Sequence, residues 1–114
     1  MAEAKVAVLV PNLFVRAGVD AAVQGAGAFP LPVASADAVR TAGVKVAILD
    51  LEALGATGAE TVAFLAASGV TVLAFGPHVE AENLAAARRA GAIVLPRGSF
   101  LARLPELLAR ALAK

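Results

Sequence analysis

Residues 44–49 read VKVAIL and run directly into Asp50. Apart from one lysine this stretch is apolar and rich in β-branched side chains, which is typical of a strand buried on both faces. Residues 5–10 (KVAVLV) and 70–75 (VTVLAF) have a similar character. A sheet made of such strands needs helices over both faces, because each face is apolar. The sequence therefore predicts an α/β protein.

Alanine-rich segments with a helical period separate these strands. In the first of them, residues 13–24, we expect Phe14, Val19 and Val23 to face the core. The other predicted helices are a short one capped by Ser35 or Asp37 and ending near Gly43, one from Thr57 or Gly58 to Gly69, residues 80–90, and one that begins at Ser99 or at Leu104 and Pro105.

The alternation of strand and helix predicts one domain, residues 1–114, with a parallel sheet and right-handed crossovers. Residues 29–33 (FPLPV) form the poorest strand, because two prolines remove hydrogen-bond donors, and such a strand belongs at a sheet edge. With residues 92–95 as the fifth strand, this edge favours the strand order 2-1-3-4-5. We therefore expect a three-layer αβα sandwich with a five-stranded parallel sheet, of the flavodoxin-like type.

The composition argues against several classes of function. The chain of 114 residues has no cysteine, which excludes thiol catalysis and cysteine metal sites. A net charge of +1 and the lack of Trp and Tyr argue against a nucleic-acid surface. Residues 61–79 carry no formal charge, but Ser68 with Gly69, and Gly76 with Pro77, divide them into helix, turn and strand. We expect a soluble, cytoplasmic protein that binds neither membranes nor nucleic acid.

Candidate site residues follow the strands, because ligands of parallel sheets bind outside the carboxyl ends of the strands. Asp50 is the carboxylate that ends a central strand. Neighbouring loops add further candidates to this strand-end pocket, which are Asn12, Glu52, Gly76, His78 and Arg97.

Two motifs carry a resemblance to a known family. Asp50 is followed by Gly58 eight positions later and by Glu60 two positions after that, and residues 83–92 read NLAAARRAGA. In both motifs the chain resembles a response-regulator receiver (CheY-like) domain, the phosphoacceptor module of two-component signalling. The resemblance covers nearly the whole chain. It implies a receiver-like fold, Asp50 as the phosphoacceptor candidate, and a divalent metal beside it.

The chain departs from the receiver pattern at several positions. Asn12 follows the first strand where receivers carry an acidic pair, so Asp50 and Asn12 would bind Mg²⁺ only weakly, and we expect no cofactor. Gly76 replaces the Ser or Thr that reads the phosphoryl group, and Arg97 lies one residue beyond the position of the receiver lysine. We expect Glu52 to be a solvated loop acid. Phosphotransfer relies on such charged groups, so the sequence indicates a degenerate receiver.

Three functional hypotheses remain open. The first is a single-domain, receiver-like module that acts by protein contacts without Mg²⁺-dependent phosphorylation and is not an enzyme. The second is a working receiver in which Asp50 takes phosphate and Arg97 replaces the displaced lysine. The third is a small flavodoxin-like enzyme or ligand-binding protein that uses Asp50, His78 and Asn12, with residues 55–58 as a cradle for a flavin phosphate.

The resemblance also implies a partner surface. In receivers the fourth helix, fifth strand and fifth helix carry dimerisation and output, which here suggests a protein partner or a homodimer. Phe100 and Leu101 are either an exposed apolar pair rimmed by cations or part of the core. The matching candidates are Arg88, Arg89, Phe100, Leu101, Arg103 and Arg110.

Overall fold

The computed structural model describes residues 4–113, apart from the side chain of His78. Its strands are β1 (Lys5–Leu9), β2 (Phe29–Pro32), β3 (Val46–Asp50), β4 (Thr71–Gly76) and β5 (Ile93–Pro96). All neighbouring strands pair in parallel, in the order β2-β1-β3-β4-β5. This is the predicted order, and it places Asp50 at the end of the central strand.

The helices follow the strands in alternation. They are α1 (Leu13–Gly25), α2 (Ala36–Ala42), α3 (Leu51–Leu54), α4 (Gly58–Ala67), α5 (Ala81–Ala90) and α6 (Arg97–Leu112), with 3₁₀ turns at Gly55–Thr57 and His78–Glu80. The fourth and fifth helices of the sequence prediction are therefore α5 and α6. The sequence did not predict α3, a single turn that begins immediately after Asp50.

Two buried clusters on opposite sides of the sheet make the molecule a three-layer sandwich. On one side α1 and α6 cover Val6, Val8, Ile48 and Phe75. On the other side α2, α4 and α5 cover alternate residues of the same strands, which are Ala7, Leu9, Ala47, Leu49 and Ala74. Because successive strand residues face opposite sides, a continuous apolar run supplies both clusters.

The prolines of β2 lie on its outer side. Phe29 N–H donates to the Ala4 carbonyl at 2.8 Å, and Val33 N–H donates to the Val8 carbonyl at 3.0 Å. Since alternate residues of a strand face alternate neighbours, Pro30 and Pro32 face away from β1 and cost the sheet no hydrogen bond. The prediction of an edge strand is confirmed.

Two details of the helices differ from the sequence prediction. Phe14 is 93% exposed instead of facing the core. Val15 packs against the core with Val19 and Val23, because these three residues are spaced by four and share one face of α1. The last helix begins at Arg97 and runs through Pro105, which lies inside α6 and does not start it.

Candidate functional site

Asp50 lies at the end of β3, flanked by β1 and β4, and is only 4% exposed. Its Oδ1 accepts hydrogen bonds from the backbone N–H of Glu52 at 3.0 Å and of Ala53 at 3.4 Å. Asp50 is therefore the N-cap of α3. The carboxylate holds the start of a helix, which is the structural use of a strand-end aspartate.

The pKa of Asp50 is raised above its ordinary value, mainly because burial disfavours the charged form. The two backbone hydrogen bonds and the positive charge of Arg97 lower the pKa, while the negative charge of Glu52 raises it. The lowering effects are smaller than that of burial. The site therefore stabilises the ionised carboxylate less well than water does.

Arg97 and Glu52 form an ion pair across the site, although they are 45 residues apart in sequence. The Nη2 group of Arg97 donates to Oε1 of Glu52, and both side chains are about half exposed. The Nε atom of Arg97 is buried and has no hydrogen-bond partner within residues 4–113. We expected Glu52 to be a solvated loop acid. It is about half exposed, but it is also the direct ion-pair partner of Arg97. The carboxylate of Asp50 accepts its hydrogen bonds from backbone N–H groups, and the positive charge of Arg97 acts on it only by lowering its pKa.

Asn12 is the N-cap of α1 and is exposed. Its Oδ1 accepts from the backbone N–H of Phe14 at 2.9 Å and of Val15 at 3.2 Å. The oxygen that the sequence offers as a metal ligand is therefore occupied by a helix terminus. Oδ1 of Asp50 is also engaged in capping and Glu52 is paired with Arg97, so a Mg²⁺ ion would have to compete with these partners for its oxygen ligands. Among the described side chains, no group of three acids or histidines could hold a metal.

Gly76 is buried at the end of β4, where neighbouring side chains leave little room for a side chain. A Cβ atom built at Gly76 would lie 3.0 Å from Cδ2 of Leu84 and 3.5 Å from Cβ of Leu51. Leu84 belongs to α5 and Leu51 to α3, and both are 4% exposed. A Cβ at position 76 would thus be in tight contact with the end of the Leu84 side chain, which would have to shift by a few tenths of an ångström to admit it. Sequence reasoning missed Leu84, whose only signal is its apolar position in the helix after Gly76.

Two strand-end candidates remain, which are His78 and the small-residue loop 55–58. His78 begins the 3₁₀ turn after β4, and its side chain lies outside the described part of the chain. The small-residue loop that could cradle a flavin phosphate borders a hollow of about 80 Å³, lined by residues that include Gly55, Gly58 and Asn83. This volume is well below the few hundred Å³ of ordinary cofactor sites.

Phe100 and Leu101, which the sequence left open between an exposed apolar pair and the core, are not exposed as a pair. Phe100 is 1% exposed and packs against Phe75 with ring centroids 4.8 Å apart. Phe100 lies on the face of α6 that packs on the core, so its prediction as a partner-surface residue was wrong. Leu101 is 38% exposed and its methyl groups lie against Gly18 of α1. It therefore belongs to the flank of α6 that faces α1.

The two predicted cations on α6, Arg103 and Arg110, lie on the opposite flank of this helix. Both pair with Glu106, with N–O distances of 3.2 and 3.5 Å. Ile93, which the sequence analysis did not single out, is 42% exposed on β5. We call this surface the α5–β5–α6 face, defined by Arg88, Arg89, Ile93, Arg103 and Arg110.

Comparison with known proteins gives the class of the fold. No protein-family model matches the sequence, and neither does any curated protein sequence. Solved structures do match: the fold is that of response-regulator receiver domains, with the CheY-like order of strands.

Three solved structures illustrate the similarity. A response regulator from Thermotoga maritima has a TM-score of 0.80 and 13% identity, over 99% of this chain and 100% of the other. The signal receiver domain of a protein described as response regulator NarL from Mycobacterium tuberculosis has a TM-score of 0.78 and 22% identity, over the whole of both chains. A protein described as pilus assembly-related from Burkholderia pseudomallei has a TM-score of 0.76 and 24% identity, over 97% of this chain and 90% of the other.

Within residues 4–113, none of the helices has both the length and the apolar character needed to cross a membrane. The uncharged stretch 61–79 is divided between α4, β4 and the 3₁₀ turn at His78–Glu80, as the turn residues predicted.

Proposed function

We propose that this chain is a cytoplasmic regulatory module of the receiver fold that acts by protein contacts, without Mg²⁺-dependent phosphorylation. The observation that carries the proposal is Gly76 itself, which has no side chain to offer next to the aspartate-bearing strand and against which the apolar side chains of Leu84 and Leu51 pack. Receivers place a Ser or Thr at this point to read the phosphoryl group, and neither glycine nor the apolar side chains packed against it offers a side-chain hydrogen-bond donor.

The other groups around Asp50 support the same conclusion. Uptake of phosphate at a carboxylate depends on positioned cations and on charge neutralisation. Here Oδ1 of Asp50 caps α3, the oxygen of Asn12 caps α1, and Arg97 is paired with Glu52. One oxygen of Asp50, the side-chain oxygen of Asn12 and the guanidinium of Arg97 thus already have partners within the fold.

Similarity to response regulators supports a role in signalling, since the similar structures from Thermotoga maritima and Mycobacterium tuberculosis bear that description. The similar Burkholderia pseudomallei protein is described by its relation to pilus assembly. A receiver fold that is not an enzyme can act only by what it binds. The module proposed here therefore needs a protein partner.

The α5–β5–α6 face is our candidate for that contact. Arg89, Arg103 and Arg110 are exposed on it, and one glutamate shared by two of these arginines leaves the face positively charged. Ile93 adds a half-exposed apolar side chain. An apolar centre with a charged rim is a common composition of protein interfaces, with arginine enriched.

Intact-mass analysis tests the phosphorylation part of the proposal. Wild type and Asp50→Asn are incubated with a small phosphodonor and Mg²⁺, next to an ordinary receiver that labels under the same conditions. We expect no mass gain in either form of this protein. A phosphate's gain in wild type that is absent from Asp50→Asn would overturn the proposal. It would instead support the second candidate, a phosphoacceptor aided by Arg97, whose charge already acts on Asp50.

Charge reversal tests the partner face. Arg103→Glu lies on the proposed face, and Arg40→Glu, on α2 at the other side of the sheet, is the matched control with the same change in charge. Affinity capture with quantitative mass spectrometry is compared among the two variants and wild type. We expect Arg103→Glu to lose proteins that Arg40→Glu retains. Equal retention by both variants contradicts the assignment of this face.

A further inference from the structure

Two polar groups at the strand ends lack a hydrogen-bond partner. The Nε atom of Arg97 is buried and donates to no acceptor within residues 4–113. Asp50 has one oxygen, Oδ1, that accepts from the N–H groups of Glu52 and Ala53, whereas Oδ2 accepts from no described residue. A buried donor without a partner is costly, so its presence in a folded protein calls for an explanation.

The donor and the acceptor belong to the same part of the fold. Asp50 pairs with Phe75 across β3 and β4, and Phe75 pairs with Leu95 on β5. Neighbouring strands lie about 4.8 Å apart, so Asp50 and the end of β5 are separated by roughly 10 Å. The side chain of Arg97 already crosses this distance, because it binds Glu52, whose own N–H donates to Asp50 at 3.0 Å. The positive charge of Arg97 also lowers the pKa of Asp50.

Glu52 offers Arg97 a partner that is easily exchanged. Both side chains of this ion pair are about half exposed, and such a pair contributes little stability because water solvates its charges well. Asp50 is only 4% exposed, so a pair with its carboxylate would be stronger but would cost more desolvation. Part of that cost is already present, since Nε of Arg97 is out of contact with water in the observed position. The two positions of Arg97 therefore compete closely.

We propose that Glu52 is an internal competitor that keeps Arg97 away from Asp50, and that Arg97 moves to Oδ2 of Asp50 when Glu52 loses its charge. In the second position Nε of Arg97 gains the acceptor that it lacks in the first. Because Glu52 lies on α3 and Arg97 is the first residue of α6, the exchange connects these two helices. It involves contacts within the chain alone, so it holds whether or not Asp50 takes phosphate.

The coupling between Asp50 and Arg97 tests the exchange. It is measured by denaturant titration of Asp50→Asn, Arg97→Ala and the double variant, with Glu52 present and again in Glu52→Gln, at a mildly alkaline pH that keeps carboxylates ionised. Asp50→Asn retains an oxygen that can cap α3. We expect the coupling to change the unfolding equilibrium constant by no more than about threefold with Glu52 and by at least about tenfold in Glu52→Gln. Equal coupling in both backgrounds would overturn the proposal.

Glu60→Gln is the matched control for Glu52→Gln. Glu60 is an exposed acid in the first turn of α4, at the same end of the sheet, and Arg97 is paired with Glu52 instead. The control removes the same charge but leaves the partner of Arg97 in place, so the coupling between Asp50 and Arg97 should match that of wild type. An increase as large as in Glu52→Gln would show that net charge, and not the release of Arg97, is responsible, and would refute the proposal.

The Nε–H proton of Arg97 gives a second readout, which follows the side chain itself. In Glu52→Gln its NMR signal is expected to move downfield and to exchange more slowly with water, because a carboxylate oxygen now accepts from it. Adding Asp50→Asn should reduce both changes, since a neutral amide oxygen is a weaker acceptor than a carboxylate. A signal in Glu52→Gln that stays at its wild-type position would show that Arg97 has not moved to Asp50 and that the proposal is wrong.

Discussion

Replacing Asp50 separates its role as a helix cap from the cost of burying its charge. Asp50→Asn keeps an oxygen that can accept from the N–H groups of Glu52 and Ala53, because asparagine caps helices about as well as aspartate. It also removes a carboxylate whose pKa is raised by burial. Asp50→Ala removes both the charge and the cap. The two variants therefore differ mainly by the cap.

The expected size of that difference follows from the cap alone. Loss of an N-cap side chain costs about 1 kcal/mol, within a range of roughly 0.5 to 2 kcal/mol. Small proteins unfold with an entropy of about 2.1 cal/mol/K per residue, so a chain of 114 residues loses about 4 °C of Tm for each kcal/mol. We expect Asp50→Ala to melt about 4 °C below Asp50→Asn, and Asp50→Asn to melt at or above wild type at neutral pH.

The dependence on pH has a definite sign. Because the pKa of Asp50 is raised in the folded state, the folded chain keeps this proton to a higher pH than the unfolded chain, whose carboxyl titrates near the ordinary value of 3.8. The stability contributed by the protonated form is complete below that value and is lost as pH rises through the folded pKa. Relative to Asp50→Asn, wild type should therefore become less stable as pH increases from acid to neutral.

Thermal denaturation followed by circular dichroism, at several pH values between acid and neutral, measures both effects. Equal melting temperatures for Asp50→Ala and Asp50→Asn would show that the cap contributes nothing. A wild type that gains stability over Asp50→Asn as pH rises would refute the argument about burial, because it would mean that the folded site prefers the charged carboxylate.

Three further predictions concern other parts of the molecule. In a double-mutant cycle on the stability of Glu52→Gln and Arg97→Ala, the coupling energy should stay below about 1 kcal/mol, because both side chains are about half exposed; a larger coupling would mean that the pair is desolvated. Gly76→Ser should lower the free energy of unfolding by about 1 to 3 kcal/mol in denaturant titrations, because its side chain would crowd apolar neighbours, and unchanged stability would contradict that packing. Phe100→Ala should cost about 3 to 5 kcal/mol, whereas Phe14→Ala should change stability by less than about 0.5 kcal/mol; similar losses in the same titrations would show that exposure has been misassigned.

The sequence predicted the sheet well because its signals are local. A continuous apolar run before Asp50 and the prolines at positions 30 and 32 each define a strand and its place without knowledge of the rest of the chain. The orientation of α1 was harder, since Phe14 and Val15 are adjacent apolar residues and only packing against the sheet decides which of them is buried.

The sequence identified the residues of the site but not the contacts that they make. Asp50, Glu52 and Arg97 were all identified at the strand ends, but the sequence does not show that Arg97 pairs with Glu52 and leaves Asp50 to backbone donors. That choice depends on where α6 begins. The prediction started this helix after Arg97, whereas Arg97 is its first residue.

The packing of Leu84 on Gly76 also limits how this protein can change over evolutionary time. A hydroxyl side chain at position 76 and a leucine at position 84 compete for one volume. If serine came first, the core would be overfilled, and if a smaller residue replaced Leu84 first, the resulting cavity would cost about 2 to 5 kcal/mol. Either order of substitution therefore passes through a protein that is less stable than the present one.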